Sequence, residues 1–346
     1  MTDSTFPSSS SSLLALARGR LTDTLTDAQF PDWPGFSRGK VRDIYDLPPP
    51  KGQTEGRKLL IATDRQSAFD KVLAAVPFKG HVLTSTARYG FTTTADIVPN
   101  HVLDYPDPNV TLVRTLRMLP VEIVVRDYLT GSTATSLWSL YAQGEAHPYG
   151  LTLPEGLRKN AKLPQTVLTP TTKPTDGGHD RPLTPEAITQ TGLVDERLWA
   201  QVAETALALF AQGRERAAAR GLILVDTKYE FGLDASDRLT LADEIHTPDS
   251  SRYWQNETYA ARHAAGQEPE SLDKEFLRLW IASRCDPYNE PIPTIPPATL
   301  AEFSSLYVRL YETLTGERFV PPPESPPIRE RVRLALEPYI QKTGIA

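Results

Sequence analysis

Alternation of apolar and polar residues predicts β-strands in the first third of the chain. The run GKVRDIYDL places Val41, Asp43 and Tyr45 on one face, and RKLLIATD forms an apolar strand after the segment PPPKGQTEG. Proline and glycine in that segment favour a hairpin with a long tip. The runs VTLVRTLRML and VEIVVRDYL are also β-rich and are split at Pro120. We therefore expect an antiparallel, β-rich lobe in this part of the chain.

Helical patterns dominate the later part of the sequence. Residues 145–185 are dense in Pro, Gly, Thr and Asp, which predicts a long irregular loop, and loops of this kind are usually functional. One helix is predicted for about residues 185–220, with Gly221 near its C-terminal cap. Three further helices are predicted from the runs SLDKEFLRLWIASR, AEFSSLYVRLYETLTG and PIRERVRLALEPYIQK.

Between these helical regions, LILVDTKYEFGLD and RLTLADEI predict a β-hairpin that carries charged residues. Because side chains alternate between the faces of a strand, Asp226, Lys228 and Glu230 share one face. A turn centred on the dipeptide Ala-Ser would place Asp243 opposite Lys228 and diagonal to Glu230, with Cβ atoms about 7–8 Å apart. Mg²⁺ commonly takes one or two carboxylates together with substrate phosphates, so Glu230 and Asp243 are candidate metal ligands. The alternative, a solvated face held by cross-strand ion pairs, stays open.

A donor-rich turn follows this hairpin directly. Thr247 and Pro248 can open a turn or a short helix, and Ser250, Ser251 and Arg252 come next. Backbone N–H groups, hydroxyls and a guanidinium suit a phosphate monoester, although a plain serine turn would have the same sequence. A cation held by the upstream carboxylates would remove their conflict with a phosphate.

Composition excludes several classes of protein. The 346 residues include 37 Lys and Arg against 43 Asp and Glu, so the net charge of -6 argues against general electrostatic binding of nucleic acid. A single cysteine excludes an intramolecular disulfide, and no apolar run is long enough for a membrane span. The N-terminal serine tract predicts a disordered tail, and the early Asp3 argues against a transit peptide. We expect a cytoplasmic protein.

Four other segments carry candidate binding residues, each of which is also compatible with an ordinary turn. No hydrolase triad, zinc-protease or dinucleotide-binding motif accompanies them. These segments are GFSRGK with Gly39 and Lys40, ATDRQSAFD with Asp64, Arg65 and Ser67, VVRDYLTGS with Arg126 and Ser132, and TTKPTDGGHD with Lys173 and Asp180.

Taken in order, these blocks resemble the SAICAR synthetase (phosphoribosylaminoimidazole-succinocarboxamide synthase) family over about residues 35–285. The resemblance implies an α+β fold, with a β-rich N-terminal ATP-binding lobe related to those of ATP-grasp enzymes and kinases, a larger α/β lobe, and a C-terminal helical extension packed on the large lobe. The expected boundaries are an N-terminal extension, partly disordered, at 1–30, the β-rich lobe at 31–119, the α/β lobe at 120–290, and the helical extension at 291–346.

The resemblance also implies an ATP-dependent ligase that joins L-aspartate to carboxyaminoimidazole ribotide (CAIR) through an acyl-phosphate intermediate. We expect the enzyme to be a monomer and to need Mg²⁺. Rival hypotheses are a phosphotransferase and a regulatory nucleotide-binding protein. Under the resemblance, Lys228, Glu230 and Asp243 are catalytic, with Glu230 and Asp243 on the metal. ATP contacts fall to Gly39, Lys40, Arg117, Met118, Leu119 and Lys228. Substrate contacts fall to Asp64, Arg65, Ser67, Arg126, Ser132, Asp180, Asp249, Ser251 and Arg252.

Overall fold

The structure, a computed structural model, describes residues 10–69, 71–173 and 181–341. The start of the serine tract, before residue 10, and the predicted site residue Asp180 lie outside the described residues. Within them, no helix is long and apolar enough to cross a membrane. The chain divides into two compact units, the first made of residues 1–89, 101–115 and 275–346 and the second of residues 90–100 and 116–274.

Both units contain strands and helices. In chain order, the strands are β1 (Phe36–Arg38), β2 (Arg42–Leu47), β3 (Arg57–Ala62), β4 (Arg65–Ala68), β5 (Lys71–Ala75), β6 (Val102–Asp107), β7 (Val110–Arg114), β8 (Arg117–Leu129), β9 (Ala161–Leu168), β10 (Thr171–Thr172), β11 (Leu222–Leu233), β12 (Leu239–Ala242) and β13 (Ser251–Gln255). The α-helices are α1 (Ser10–Gly19), α2 (Lys79–Thr93), α3 (Leu137–Ala142), α4 (Pro185–Gln190), α5 (Glu196–Ala218), α6 (Asn256–Ala264), α7 (Glu275–Ala282), α8 (Pro297–Thr315) and α9 (Ile328–Gln341).

The first unit is built on an antiparallel sheet with strand order β1-β2-β3-β7-β6. The predicted hairpin with a long tip is confirmed, because β2 pairs with β3 from Arg42 opposite Ala62 to Leu47 opposite Arg57. Strand β2 alternates as the sequence predicts, with Tyr45 fully buried on the core face. A separate hairpin, β4 and β5, completes the strands of this unit.

The C-terminal helices α7, α8 and α9 pack within the first unit, and their predicted packing on the large lobe stays a prediction. Val332 and Leu336 of α9 lie in one core cluster with Tyr45 and Leu59 of the sheet. In a second cluster, residues of α7 and α8 meet residues of α2 and of the β4–β5 hairpin. The physical reason is that an antiparallel sheet with one apolar face needs a helical cover, and the apolar faces of these helices supply it.

The second unit is built on an antiparallel sheet with strand order β10-β8-β11-β12, in which β9 also pairs with β8 and β13 also pairs with β11. The predicted break at Pro120 is wrong, because β8 runs through it. Opposite Pro120 the pairing shifts from Glu230–Glu122 to Gly232–Met118, so the proline lies in a β-bulge, where a missing N–H is tolerated. The predicted irregular loop at 145–185 is also partly wrong, since it contributes β9 and β10 to this sheet.

Helix α5 packs against β11, and the predicted single helix over 185–220 is in fact two. The interruption follows from local sequence, because Gly192 takes a φ of +71° and Asp195 caps α5 by accepting hydrogen bonds from the N–H groups of Arg197 and Leu198. On the buried face of α5, Gly213 lies against the imidazole of His246: a Cβ at Gly213 would be 2.4 Å from its Cε1 and 2.7 Å from its Nε2.

We expect Gly213→Ala to destabilise the protein by about 2 kcal/mol, because the added methyl would force the buried imidazole to shift. In an open helix the same change stabilises by up to about 1 kcal/mol. Urea unfolding measures the effect. Gly19→Ala in α1 is the control, since nothing lies within 4 Å of its Cβ position. A Gly213→Ala protein as stable as Gly19→Ala would contradict the packing described.

Candidate active site

Charged side chains of alternating sign lie on one face of the second unit's sheet. We call Glu122, Lys228, Glu230 and Lys173 the acidic group. The Lys228 Nζ donates to Glu122 Oε1 and to Glu230 Oε1, each at 2.7 Å, and the ammonium of Lys173 donates to Glu230 Oε2. The two glutamates are direct neighbours across β8 and β11, and Lys228 separates their charges. Their side chains are only 12% and 8% exposed, whereas that of Lys228 is 31% exposed. This partial burial contradicts the solvated-face alternative.

Asp243 joins this group by a route that strand parity does not predict. The predicted hairpin register is wrong by one residue: Glu230 pairs with Ala242, and Leu233 pairs with Leu239. Strand β12 ends at Ala242, and Asp243 takes a left-handed φ of +59°. Its carboxylate nonetheless acts on the charge of Lys228. Asp243 is therefore close enough to influence Lys228, although the hairpin register differs from the predicted one.

The charges fix the protonation states of this group. Burial alone would lower the pKa of Lys228, but the carboxylates of Glu230, Glu122 and Asp243 outweigh it and hold that pKa well above its usual value. Burial alone would raise the pKa of Glu230, but Lys228 and Lys173 hold it far below its usual value. Lys228 is thus a permanent cation and Glu230 a permanent anion near neutral pH.

A second charged row crosses the same sheet. In β11, Asp226 is paired with Arg126 of β8 on one side and with Arg252 of β13 on the other. Its Oδ2 accepts from Nη1 of Arg126 at 2.6 Å and from Nη1 of Arg252 at 2.5 Å, while Arg126 Nε donates to Thr169 Oγ1. Two guanidinium groups share one carboxylate, so the row has a net positive charge. A cluster with this charge is suited to bind an anion.

The hydroxyl groups of Ser251 and Ser132 differ in their relation to this arginine row. Ser251 pairs with Thr227, which alternates with Asp226 along β11, so its side chain lies on the opposite face of the sheet. The Ser251 Oγ lies 2.7 Å from the Thr227 Oγ1, where either atom can donate. A Cβ on Gly131 would be 3.6 Å from Nη2 of Arg252, so the turn that leads to Ser132 lies against the guanidinium. The Ser132 Oγ is buried and has no hydrogen-bond partner among the described residues. Gly131, with a φ of +116°, thus allows a close approach that a larger residue would block.

The turn TPDSS, at residues 247–251, precedes Arg252 of the arginine row. The Thr247 Oγ1 donates to the buried carboxylate of Glu244 and accepts from the backbone N–H groups of Asp249 and Ser250 at 3.2 Å. Asp249 is half-buried at the tip of this turn. The predicted turn is confirmed, and it leads directly into β13, a strand that the sequence did not reveal.

A family model described as SAICAR synthetase matches residues 35–295 of the chain. The chain belongs to the SAICAR synthetase family. Phosphoribosylaminoimidazole-succinocarboxamide synthase of Legionella pneumophila is 50% identical over 296 residues, which cover 85% of this chain and 92% of that protein. The predicted family and its α+β fold are confirmed.

Solved structures agree with this family assignment. The SAICAR synthase of Saccharomyces cerevisiae complexed with SAICAR has a TM-score of 0.71 and 31% identity, with 85% of this chain and 99% of that chain covered. A SAICAR synthetase in complex with ADP, at 24% identity, shares the fold with a TM-score of 0.60, with 82% of this chain and 99% of that chain covered.

The acidic group of this SAICAR synthetase family member has the donor atoms that magnesium prefers. The carboxylates of Glu122, Glu230 and Asp243 all raise the pKa of Lys228, so their negative charges are close to one point. Mg²⁺ takes one or two carboxylates together with phosphate oxygens and water. Among the described residues, no set of three or more His, Cys, Asp or Glu side chains forms a metal cage by itself. The donor set therefore fits an ion that arrives with phosphate oxygens.

Predicted substrate residues of the first unit have partners within that unit. Both oxygens of Asp64 accept backbone N–H groups, from Leu25 at 2.7 Å and Gly80 at 2.9 Å, and burial raises its pKa to about 6. Arg65 donates to the carbonyls of Gly39 and Lys40, which positions the turn. Half-buried Ser67 lies in β4, opposite Val72. Their roles as substrate ligands stay predictions.

The predicted ATP residues lie in separate parts of the chain. Gly39 and Lys40 lie in the exposed turn between β1 and β2, where the Gly39 N–H donates to the Arg42 carbonyl at 2.8 Å. Arg117, Met118 and Leu119 begin β8. Their contacts with adenine stay predictions.

Sequence reasoning named Lys173 as a candidate binding residue without linking it to Glu230, and it missed Glu122 as a member of the acidic group and Asp226 as the centre of the arginine row. A signal for Glu122 was present, since a lone carboxylate inside the apolar run VEIVV is seldom buried without a partner. Lys173 gave no comparable signal, because its partner Glu230 lies 57 residues further along the chain.

His246, next to the acidic group in sequence, is a buried structural residue. Its Nε2 lies 2.6 Å from the Tyr229 hydroxyl, and its carbonyl accepts from the Tyr253 hydroxyl at 2.9 Å. Burial, with a smaller effect of the Arg216 charge, lowers its pKa to about 3. The fold therefore requires the neutral imidazole.

We expect His246 to make the protein acid-labile. Its pKa is lower in the folded state than the usual 6.5, so its contribution is complete above about pH 6.5 and declines as the pH falls towards 3. Lowering the pH from 7.5 to 5.0 should remove about 2 kcal/mol through this group. His246 has a left-handed φ of +55°, which asparagine also tolerates. His246→Asn should therefore be less stable at pH 7.5 but lose less stability on acidification. Urea midpoints at both pH values test this, and parallel losses would contradict it.

Proposed function

We propose that the charged face of the second unit's sheet carries the reacting groups of an ATP-dependent ligation. The chain is a C–N ligase of the SAICAR synthetase family that joins L-aspartate to CAIR, giving SAICAR, ADP and phosphate in purine biosynthesis. The observation that supports this assignment of residues is that the arginine row and the acidic group both lie along β11. Asp226 with its two arginines and Glu230 with its lysines are four residues apart, roughly 13 Å at about 3.3 Å per residue.

The spacing suits a ribotide that has a phosphate at one end and a carboxylate at the other. Arg126, Arg252 and Ser132 would bind the phosphate and ribose side, with Asp249 on a hydroxyl or amino group. The same role for Ser251 stays a prediction from the resemblance. The imidazole carboxylate would then lie towards Lys228 and Glu230, where the ATP phosphates are also expected. This arrangement brings the two reacting oxygen-rich groups together without a protein nucleophile.

The proposed chemistry has two steps. A carboxylate oxygen of CAIR attacks the γ-phosphorus and the bond to the ADP oxygen breaks, which forms an acyl phosphate. The amine of aspartate then attacks the acyl carbon, the bond to phosphate oxygen breaks, and the amine loses a proton. Because Lys228 stays charged, it neutralises phosphate oxygens in the first step and cannot act as the base in the second.

Magnesium, held by Glu230 and Asp243, would supply further neutralisation of the nucleotide phosphates when bound. Gly39 and Lys40 of the first unit, and Arg117, Met118 and Leu119 of β8, are proposed nucleotide contacts within their own units. A monomeric state and a cytoplasmic location stay predictions.

The test is a reconstitution with purified protein, Mg²⁺, ATP, CAIR and aspartate, followed by mass spectrometry of the products. ADP should form only when CAIR is present, and the succinocarboxamide should form only when aspartate is added too. ADP formation with a hydroxyl acceptor in place of CAIR would indicate a phosphotransferase. ATP binding without any product would indicate a regulatory protein.

A further inference from the structure

Both oxygens of the proposed metal ligand Glu230 are already bound by ammonium groups. Lys228 donates to Oε1 at 2.7 Å, and Lys173 donates to Oε2. The Glu230 side chain is only 8% exposed, so its charge depends on these partners. A cation that binds Glu230 therefore competes with these ammonium groups for the carboxylate oxygens.

The two lysines are not equivalent in this respect. Lys228 also contacts Glu122 at 2.7 Å, so it keeps a carboxylate partner if Glu230 turns to another cation. The ion pair that Lys173 makes within the described part of the chain is with Glu230. Its backbone is anchored, since its N–H donates to the Pro120 carbonyl at 3.1 Å, while its side chain is 37% exposed. The backbone of Lys173 is thus held in place, whereas its partly exposed side chain has a flexible four-carbon stem that allows it to move away from Glu230.

We propose that Lys173 is a built-in counter-ion, which occupies Glu230 Oε2 until magnesium binds and then withdraws from it. This inference rests on the proposed function, in which Glu230 holds the ion. The pair has a physical reason, because a nearly buried carboxylate without compensation is strongly unfavourable. A compact ammonium on a four-carbon stem is a suitable temporary partner, since its geometry is undemanding.

The first experiment measures the reactivity of Lys173 in the wild-type protein. A short pulse of acetic anhydride, with and without Mg²⁺ at matched ionic strength, labels accessible amines, and mass spectrometry gives the labelled fraction at each lysine. We expect Mg²⁺ to increase the labelling rate of Lys173 several-fold. Lys159, which pairs with Glu268, is the control and should not change. Unchanged or slower labelling of Lys173 with the ion bound would overturn the inference.

The second experiment uses Lys173→Met with Lys159→Met as its matched control. Binding of Mn²⁺, followed by electron paramagnetic resonance without nucleotide, should become about tenfold tighter in Lys173→Met, because the Lys173 ammonium no longer competes for Glu230 Oε2, and should not change in the control. Equal affinities in both variants would overturn the inference.

The same titration with ADP present separates this inference from the proposed function. If Mn²⁺ binds with ADP but neither the labelling rate of Lys173 nor the Mn²⁺ affinity of Lys173→Met changes, only the counter-ion role is wrong. If the wild-type protein and Lys173→Met both fail to bind Mn²⁺ even with ADP, the metal role of Glu230 is wrong as well. The labelling experiment needs no variant, so it decides the matter even if Lys173→Met does not fold.

Discussion

Glu230→Gln should lower kcat/KM for ATP by about 10³-fold, the upper range for loss of one preorganised electrostatic group. The change keeps the shape of the side chain and removes its charge. Wild-type Glu230 is a full anion near neutral pH because Lys228 and Lys173 hold its pKa far below the usual value. Without that charge, the proposed metal loses a ligand and the two lysines lose their shared partner. Steady-state kinetics with varied ATP and Mg²⁺ measure both effects, and we expect the Mg²⁺ requirement to rise.

Glu268→Gln is the matched control for this change. Glu268 also pairs with a lysine of the second unit, Lys159, but its side chain is 42% exposed and it is not part of the acidic group. Exposed pairs of this kind contribute little, so activity and stability should be close to wild type. Two variants with equal and small losses would mean that the Glu122–Lys228–Glu230 group is structural. Circular dichroism would confirm that Glu230→Gln is folded.

The hairpin shows how far periodicity can predict a site. Its strands and its charged face followed from alternation alone, but the register did not. The loop between Asp234 and Arg238 has three residues, with Asp237 at a left-handed φ of +57°. Glycine is the usual residue at that position of such a loop, so an aspartate gave no signal. An odd loop shifts the pairing by one residue, which the alternation within each strand cannot reveal.

Contacts between distant strands account for the rest of what sequence could not predict. The turn after the hairpin predicts Arg252 as a hydrogen-bond donor to a phosphate, whereas the substrate role of Arg126 comes from the resemblance. Both arginines contact Asp226 because β11 lies between β8 and β13, and the sequence did not predict β13 as a strand. The resemblance to a family supplied the reaction, whereas the sheet register supplies the physical reason for the positions of the side chains.

The arginine row yields the second large effect. Arg252→Met should raise the KM for CAIR about 100-fold and leave the KM for ATP nearly unchanged, because charge-assisted hydrogen bonds to a phosphate are each worth about 1.5–3 kcal/mol. The fold should tolerate this change, since Asp226 keeps its 2.6 Å hydrogen bond from Arg126 and methionine preserves the length of the stem. Arg238→Met is the control: Arg238 also pairs with an aspartate of this unit, Asp234, but its side chain is 63% exposed and lies outside the row. Initial rates with each substrate varied in turn decide the matter. A rise in all three KM values together would point to a general loss of structure, and an unchanged KM for CAIR would remove Arg252 from the ribotide site.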